Sequence, residues 1–159
     1  WSNIKICKNK RYWNIKRGLM LYFAYGSNLN HHQMKNIRCS GSKFVNFIYL
    51  KNYKMVFAHP NKLNKFGYAN VEKKNGSKVA GAIWKITREH EIILDGYEQF
   101  PDIYQKEYFF LNRKKIMFYI MKKFYLKNPP KVYVETINKG YEDCNLDKKY
   151  LTNALKIIR

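Results

Sequence analysis

The apolar residues of this chain come in runs no longer than a β-strand, and most are closed by Gly or by Lys and Asn. Nothing approaches the ~18 consecutive apolar residues that a membrane span needs, so the chain must bury itself as a sheet with a few helices. Residues 21–25 form a continuous apolar run ending in Gly26, the pattern of a buried strand. Residues 44–50 and 53–58 read as strands joined by a tight turn at Lys51-Asn52, and residues 68–72 and 79–86 as a hairpin across Lys74-Asn75-Gly76-Ser77. Two further strands are expected at 107–111 and 116–119. Between the strands, residues 87–97 read as a helix with Thr87 as N-cap and Glu89 and Glu91 in its first turn. Its apolar face would be Ile86, His90, Ile93, Leu94 and Tyr97. Short helices are expected near 30–37, at 131–138 behind Pro129-Pro130, and from Leu146-Asp147 to Ile157. The expected class is α+β around one curved sheet or barrel.

Composition narrows the function classes. At 159 residues, with 14 Tyr, 10 Phe and 3 Trp, the chain is a one-domain length and too aromatic for a solvated polymer. Cys7, Cys39 and Cys144 are odd in number and widely spaced, giving neither a disulfide framework nor a zinc ribbon. A reducing, cytoplasmic setting is the simplest expectation. The net charge of +20 suggests nucleic acid, but only six of the 31 basic side chains are Arg, the residue suited to phosphate and base recognition. Lys, Asn, Ile and Tyr dominate, and all have A/T-rich codons, so genomic bias accounts for much of the charge. A basic nucleic-acid-binding domain therefore ranks last among the readings, while a positive field still suits a small anionic substrate.

Residues 1–19 hold six basic side chains and no acid, and the first acid is Glu72. They read as a disordered, dispensable basic extension ahead of a domain over residues 20–159. A signal peptide is the rival reading, but cleavage near Gly26 would cut the most informative motif.

That motif is Tyr25-Gly26-Ser27-Asn28-Leu29, where a buried strand runs into glycine, two small polar residues and a short helix. N–H groups exposed at such a start favour an anion, although an ordinary capped turn would have the same sequence. Asp95 and Glu98 are a second candidate pair, three apart at the end of the 87–97 helix. Tyr97, Phe100 and Pro101 flank Glu98, and burial would raise its pKa toward that of a general base. A solvated helix-end carboxylate is the competing reading. His31 and His32 have no acid or Cys at metal-ligand spacing and read as a solvated pair, so no metal is expected. Cys39, Cys144, Trp84, Phe109 and Phe110 read as core. The basic stretch from Arg113 to Lys127 alternates with aromatics, which fits a phosphate chain or alternating strand faces equally well.

Together these strings resemble the γ-glutamylcyclotransferase-like family. Tyr22-Phe23-Ala24-Tyr25-Gly26-Ser27-Asn28-Leu29 is similar to its N-terminal signature, residues 79–86 to its Gly-containing apolar strand, and Leu94-Asp95 with Glu98 to its Leu-Asp-x-x-Glu turn. Pro130, Tyr133, Ile137, Gly140, Leu146 and Tyr150 resemble its C-terminal helical segment. The resemblance implies a small mixed β-barrel with flanking helices. It also implies cyclisation of a γ-glutamyl amide to 5-oxoproline with release of the amine, without metal or cofactor. Glu98 would transfer the proton, Tyr25, Gly26, Ser27, Asn28 and Leu29 would hold the glutamyl end, and Tyr133 would contact substrate. Two departures stand out: Gln99 where Gly commonly follows the Glu, and Tyr104-Gln105-Lys106 in place of a Tyr-Arg segment. Asn28 points away from the glutathione-specific branch, which carries another residue there. A non-catalytic binder of γ-glutamyl ligands stays open as the alternative.

Overall fold

The computed structural model describes residues 18–158. The expected extension over 1–19 falls outside them except for Gly18 and Leu19. Six strands form one sheet: β1 (Met20–Ala24), β2 (Lys43–His59), β3 (Tyr68–Ile86), β4 (Gln105–Leu111), β5 (Lys114–Ile120) and β6 (Tyr125–Leu126). Their spatial order is β4-β5-β1-β3-β2-β6. All neighbours are antiparallel except β1 and β5, which run parallel, so the sheet is mixed and curls into a half-barrel. The helices are α1 (Arg88–Tyr97), α2 (Lys131–Asp143) and α3 (Lys149–Lys156). The α+β class with a small mixed barrel-like sheet and flanking helices is therefore the fold.

β1 lies at the centre because it is apolar on both faces: Phe23 and Ala24 are almost wholly buried, and both neighbouring strands pair with it. The core around it holds Trp84, Phe57, Phe118, Leu29, Met34 and Tyr141. Cys39 and Cys144 are buried free thiols, and Trp84 is fully buried, all as expected.

The structure corrects several local expectations. The two supposed hairpin turns belong to one long antiparallel pair, β2 with β3. Lys51 faces Lys78 and Tyr53 faces Lys73, so Asn52 and residues 74–77 form a bulge inside the ladder. Turn residues are needed there too: Asn52 and Gly76 both take positive φ (63° and 79°), and the Gly76 N–H donates to Asn52 Oδ1 at 3.2 Å. The expected 30–37 helix is instead a 3-10 turn (Ser27–Leu29) followed by a π-helical turn (Gln33–Arg38). α2 runs five residues beyond the expected 138, to Asp143, and the two-residue strand β6 has no counterpart in the sequence reading.

In α1 the Thr87 cap is real, completed by His90 in a capping box. The apolar face differs: Ile93 and Tyr97 are exposed, while Glu91 is 2% exposed. Glu91 is buried because Lys106 Nζ donates to it at 2.6 Å and Arg88 pairs with it from outside. Phe110 is 70% exposed rather than core. His31 is not solvated: its ring packs between Phe44 and Trp84 at 4.9 and 5.1 Å, and burial lowers its pKa. Lys114 and Lys115 open β5 and Lys122, Lys123 and Lys127 follow it, while residues 116–120 between them are all buried, so strand alternation does not explain that stretch.

Candidate active site

The C-terminal end of β1 turns at Gly26 because nothing larger fits. A Cβ there would sit 2.9 Å from Ala69 Cβ and 3.1 Å from the Tyr133 hydroxyl. The glycine thus serves close approach, and the 3-10 turn Ser27–Leu29 begins directly against β3 and α2. Ser27 and Asn28 open this turn, so their N–H groups have no intrahelical acceptor. Leu29 points the other way: it is wholly buried, and a Cβ on Gly140 would come within 2.5 Å of its own Cβ. Gly140 therefore lets α2 press the loop into place.

Beside this loop lies a cavity of about 320 Å³ whose walls include Tyr25, Gly26, Ser27, Asn28, Glu98 and Tyr133. Six of the seven site residues expected from sequence meet there, and Leu29 supports the loop from behind. The volume suits a small molecule rather than a polymer. Tyrosines dominate the rest of the wall, and the hydroxyls of Tyr25, Tyr104, Tyr119 and Tyr133 are each fixed by a partner. Tyr25 donates to the Tyr119 carbonyl at 2.6 Å, Tyr104 to the Ala69 carbonyl at 2.6 Å, and Tyr119 to Asp95 Oδ1 at 2.6 Å. The Tyr133 hydroxyl accepts from the Ala69 N–H at 3.1 Å. Buried as they are, these phenols are pushed up in pKa and stay neutral donors and acceptors.

Glu98 caps α1, its N–H donating to the Leu94 carbonyl at 2.8 Å, and its carboxylate faces the cavity. The side chain keeps 18% exposure. Loss of water raises its pKa to about 7, against the opposing pull of Arg38 and a hydrogen bond from Asn28. Asn28 links the groups: its Nδ2 donates to the Tyr22 hydroxyl at 2.9 Å and to Glu98 Oε1 at 3.4 Å. Its Oδ1 accepts from Arg38 Nη1 at 2.6 Å and Gln33 Nε2 at 3.2 Å. Two donors on one side of the amide fix which way it faces. Asp95 does not share this task. It is held by Tyr119 and by Lys106 Nζ at 2.7 Å, which anchors the helix end.

Sequence reasoning missed Tyr22, Arg38, His59, Tyr68, Tyr104 and Tyr119 as cavity residues. Arg38 carried the only usable signal, one of six arginines in a chain that mostly uses lysine. The tyrosines had none, because a wall tyrosine and a core tyrosine look alike in sequence. Among the described residues no three of His, Cys, Asp or Glu gather at metal-binding distance.

The family described as "Gamma-glutamyl cyclotransferase, AIG2-like" matches residues 22–140. A solved structure described as "Gamma-glutamyl cyclotransferase" superposes with a TM-score of 0.73 at 23% identity, covering 89% of each chain. An uncharacterised Homo sapiens protein superposes with a TM-score of 0.73 at 24% identity, covering 89% of this chain and 88% of its own. YkqA from Bacillus subtilis does so at 0.72 and 17% identity, over 89% of this chain and 55% of its own. At these identities the structures attest the shared fold. No curated protein sequence matches the chain.

Proposed function

Because this chain belongs to the γ-glutamyl cyclotransferase, AIG2-like family, we propose that it cyclises a γ-glutamyl amide to 5-oxoproline and releases the amine. The observation that carries the proposal is Glu98, a cavity carboxylate whose pKa is raised to about 7. The substrate's α-amine attacks its own γ-carbonyl: a C–N bond forms within the ring, and the amide C–N bond to the leaving amine breaks. The nucleophile is part of the substrate, so the protein needs to supply only conformation and proton transfer.

Both needs have a physical counterpart here. An α-amine titrates at about 8, so at neutral pH most of it is protonated and unreactive. Glu98 accepts that proton and returns it to the leaving nitrogen. A base with a pKa of about 7 suits both steps, and such help is typically worth ~10²–10⁴-fold. Holding the glutamyl chain bent for ring closure contributes from the ~7–11 kcal/mol available to well-oriented reactions. The Gly26–Asn28 backbone supplies N–H donors for the glutamyl end, and the Tyr133 phenol shapes the wall beside it. Asn28, oriented by Gln33 and Arg38, presents its Nδ2 to Glu98 and holds the carboxylate in place.

The test is incubation of the protein with a panel of γ-glutamyl amino acids and γ-glutamyl amines, assaying 5-oxoproline. Release from at least one member is expected. Saturable binding without any 5-oxoproline would instead establish the non-catalytic relative.

A further inference from the structure

Proton transfer by Glu98 leaves the second charged group of the cavity with no task beyond orienting Asn28. Arg38 ends the π-helical turn, keeps 18% of its side chain exposed, and stacks its guanidinium 4.3 Å from the centre of the Tyr97 ring. Among the described residues it makes one hydrogen bond, from Nη1 to Asn28 Oδ1 at 2.6 Å. Its approach to Glu98 Oε1 stops at 4.0 Å, too long for a hydrogen bond. A guanidinium has five N–H donors and does not lose its charge, so most of its donors are unused.

The charge balance points the same way. Arg38 is the only Lys or Arg among the described residues lining the cavity. A poorly exposed cation is costly unless an anion faces it. Glu98 cannot remain that anion through the reaction, because accepting the proton neutralises it. Lys106, whose side chain is 11% exposed, is already paired with Glu91 and Asp95.

We infer that Arg38 receives a carboxylate of the substrate. The inference rests on the γ-glutamyl reading above. Under it the substrate brings one carboxylate on the carbon bearing the attacking amine, and a second one whenever the leaving amine is an amino acid. Either would take the place opposite Arg38, with the planar fork donating to both oxygens. Tyr97 holds the fork's plane from one face. Substrates offering an ammonium there in place of a carboxylate would meet Arg38 as a like charge.

Three substrates separate the possibilities: γ-glutamyl-alanine carries both carboxylates, γ-glutamyl-ethylamine only the α-carboxylate, and 4-aminobutyryl-alanine only the leaving-side one. Arg38→Gln should raise KM at least ~30-fold for substrates bearing the carboxylate that Arg38 holds, with kcat changed far less. For the analogue lacking that carboxylate the same substitution should change KM little, as expected when both partners of one contact are already gone. An effect that vanishes with 4-aminobutyryl-alanine assigns the α-carboxylate; one that vanishes with γ-glutamyl-ethylamine assigns the leaving side. Arg38→Lys, which keeps the charge and guards against a folding artefact, should recover part of the loss. An equal effect of Arg38→Gln on all three substrates would overturn the inference, leaving Arg38 to act only through Asn28 and Glu98. No effect on any would overturn it too. Both outcomes leave the cyclotransferase reading standing, whereas failure of the unsubstituted protein to release 5-oxoproline from any member of the γ-glutamyl panel removes that reading and this inference together.

Discussion

Glu98 is held in a state that costs stability. In the unfolded chain its carboxyl titrates at 4.5, and in the cavity at about 7. Between those values the folded protein binds a proton that the unfolded chain has already released, so this group's contribution falls as pH rises. Above pH 7 the ionised carboxylate destabilises the fold by about 3 kcal/mol. Gln does not titrate, so Glu98→Gln should raise Tm at pH 8 and change it little at pH 5. Calorimetry at the two pH values checks this, and an equal change at both would mean that the carboxyl is not perturbed. Gln99 next door is strained in another way. It takes φ +49°, its N–H donates to the Gly96 carbonyl, and the Phe100 N–H donates to the Asp95 carbonyl, which together form a Schellman ending for α1. A left-handed position of this kind favours glycine, the residue that the family resemblance led one to expect there. Gln99→Gly should stabilise the protein by about 1 kcal/mol in denaturant unfolding, and a loss would mean that the Gln side chain contributes contacts worth more than the strain.

At the scale of elements, α1 shows what a pattern of residue types conveys and what it conceals. Thr87, Glu89 and Glu91 announced a helix start correctly, since caps and first-turn acids act within a single turn. The expected buried face left out Glu91, which is in fact buried. Glu91 is buried only because Lys106, on a strand fifteen residues later, supplies its charge partner. Pairing across elements leaves no local trace. Lys106→Met would leave Glu91 facing only Arg88 and would also release Asp95 from its partner. We expect a loss of about 3 kcal/mol in denaturant unfolding, along with lower turnover as the end of α1 loosens around Glu98. A variant as stable as the parent would show that the network is not holding the helix. The β2–β3 bulge teaches the same lesson: Asn52 and Gly76 announced turn geometry correctly, but the long-range register decided that the chain continues straight on.

Over the whole molecule, the candidate site was more legible than its surroundings. Tyr25-Gly26-Ser27-Asn28 and Glu98 lie seventy residues apart, yet the sheet and α1 bring them to one cavity. The strand pattern disclosed the α+β class, because short apolar runs leave few alternatives to a sheet. The tyrosine wall stayed hidden, since only the curl of the sheet distinguishes a cavity lining from core. The charge of +20 also belongs to this scale. If it reflects composition, duplex DNA should bind weakly and release as salt rises through the physiological range, and submicromolar sequence-selective binding at that salt would refute the assignment. The family, the cavity and the perturbed carboxylate converge on one claim, that Glu98 moves the proton that lets a γ-glutamyl amide close on itself. The decisive measurement is the pH dependence of kcat/KM for 5-oxoproline formation, made on the parent protein and on Glu98→Gln. For the parent, kcat/KM should climb through an inflection near pH 7 as Glu98 ionises. The variant should lose at least ~10²-fold and show no such inflection. A Glu98→Gln protein that keeps both the rate and the inflection would contradict the claim.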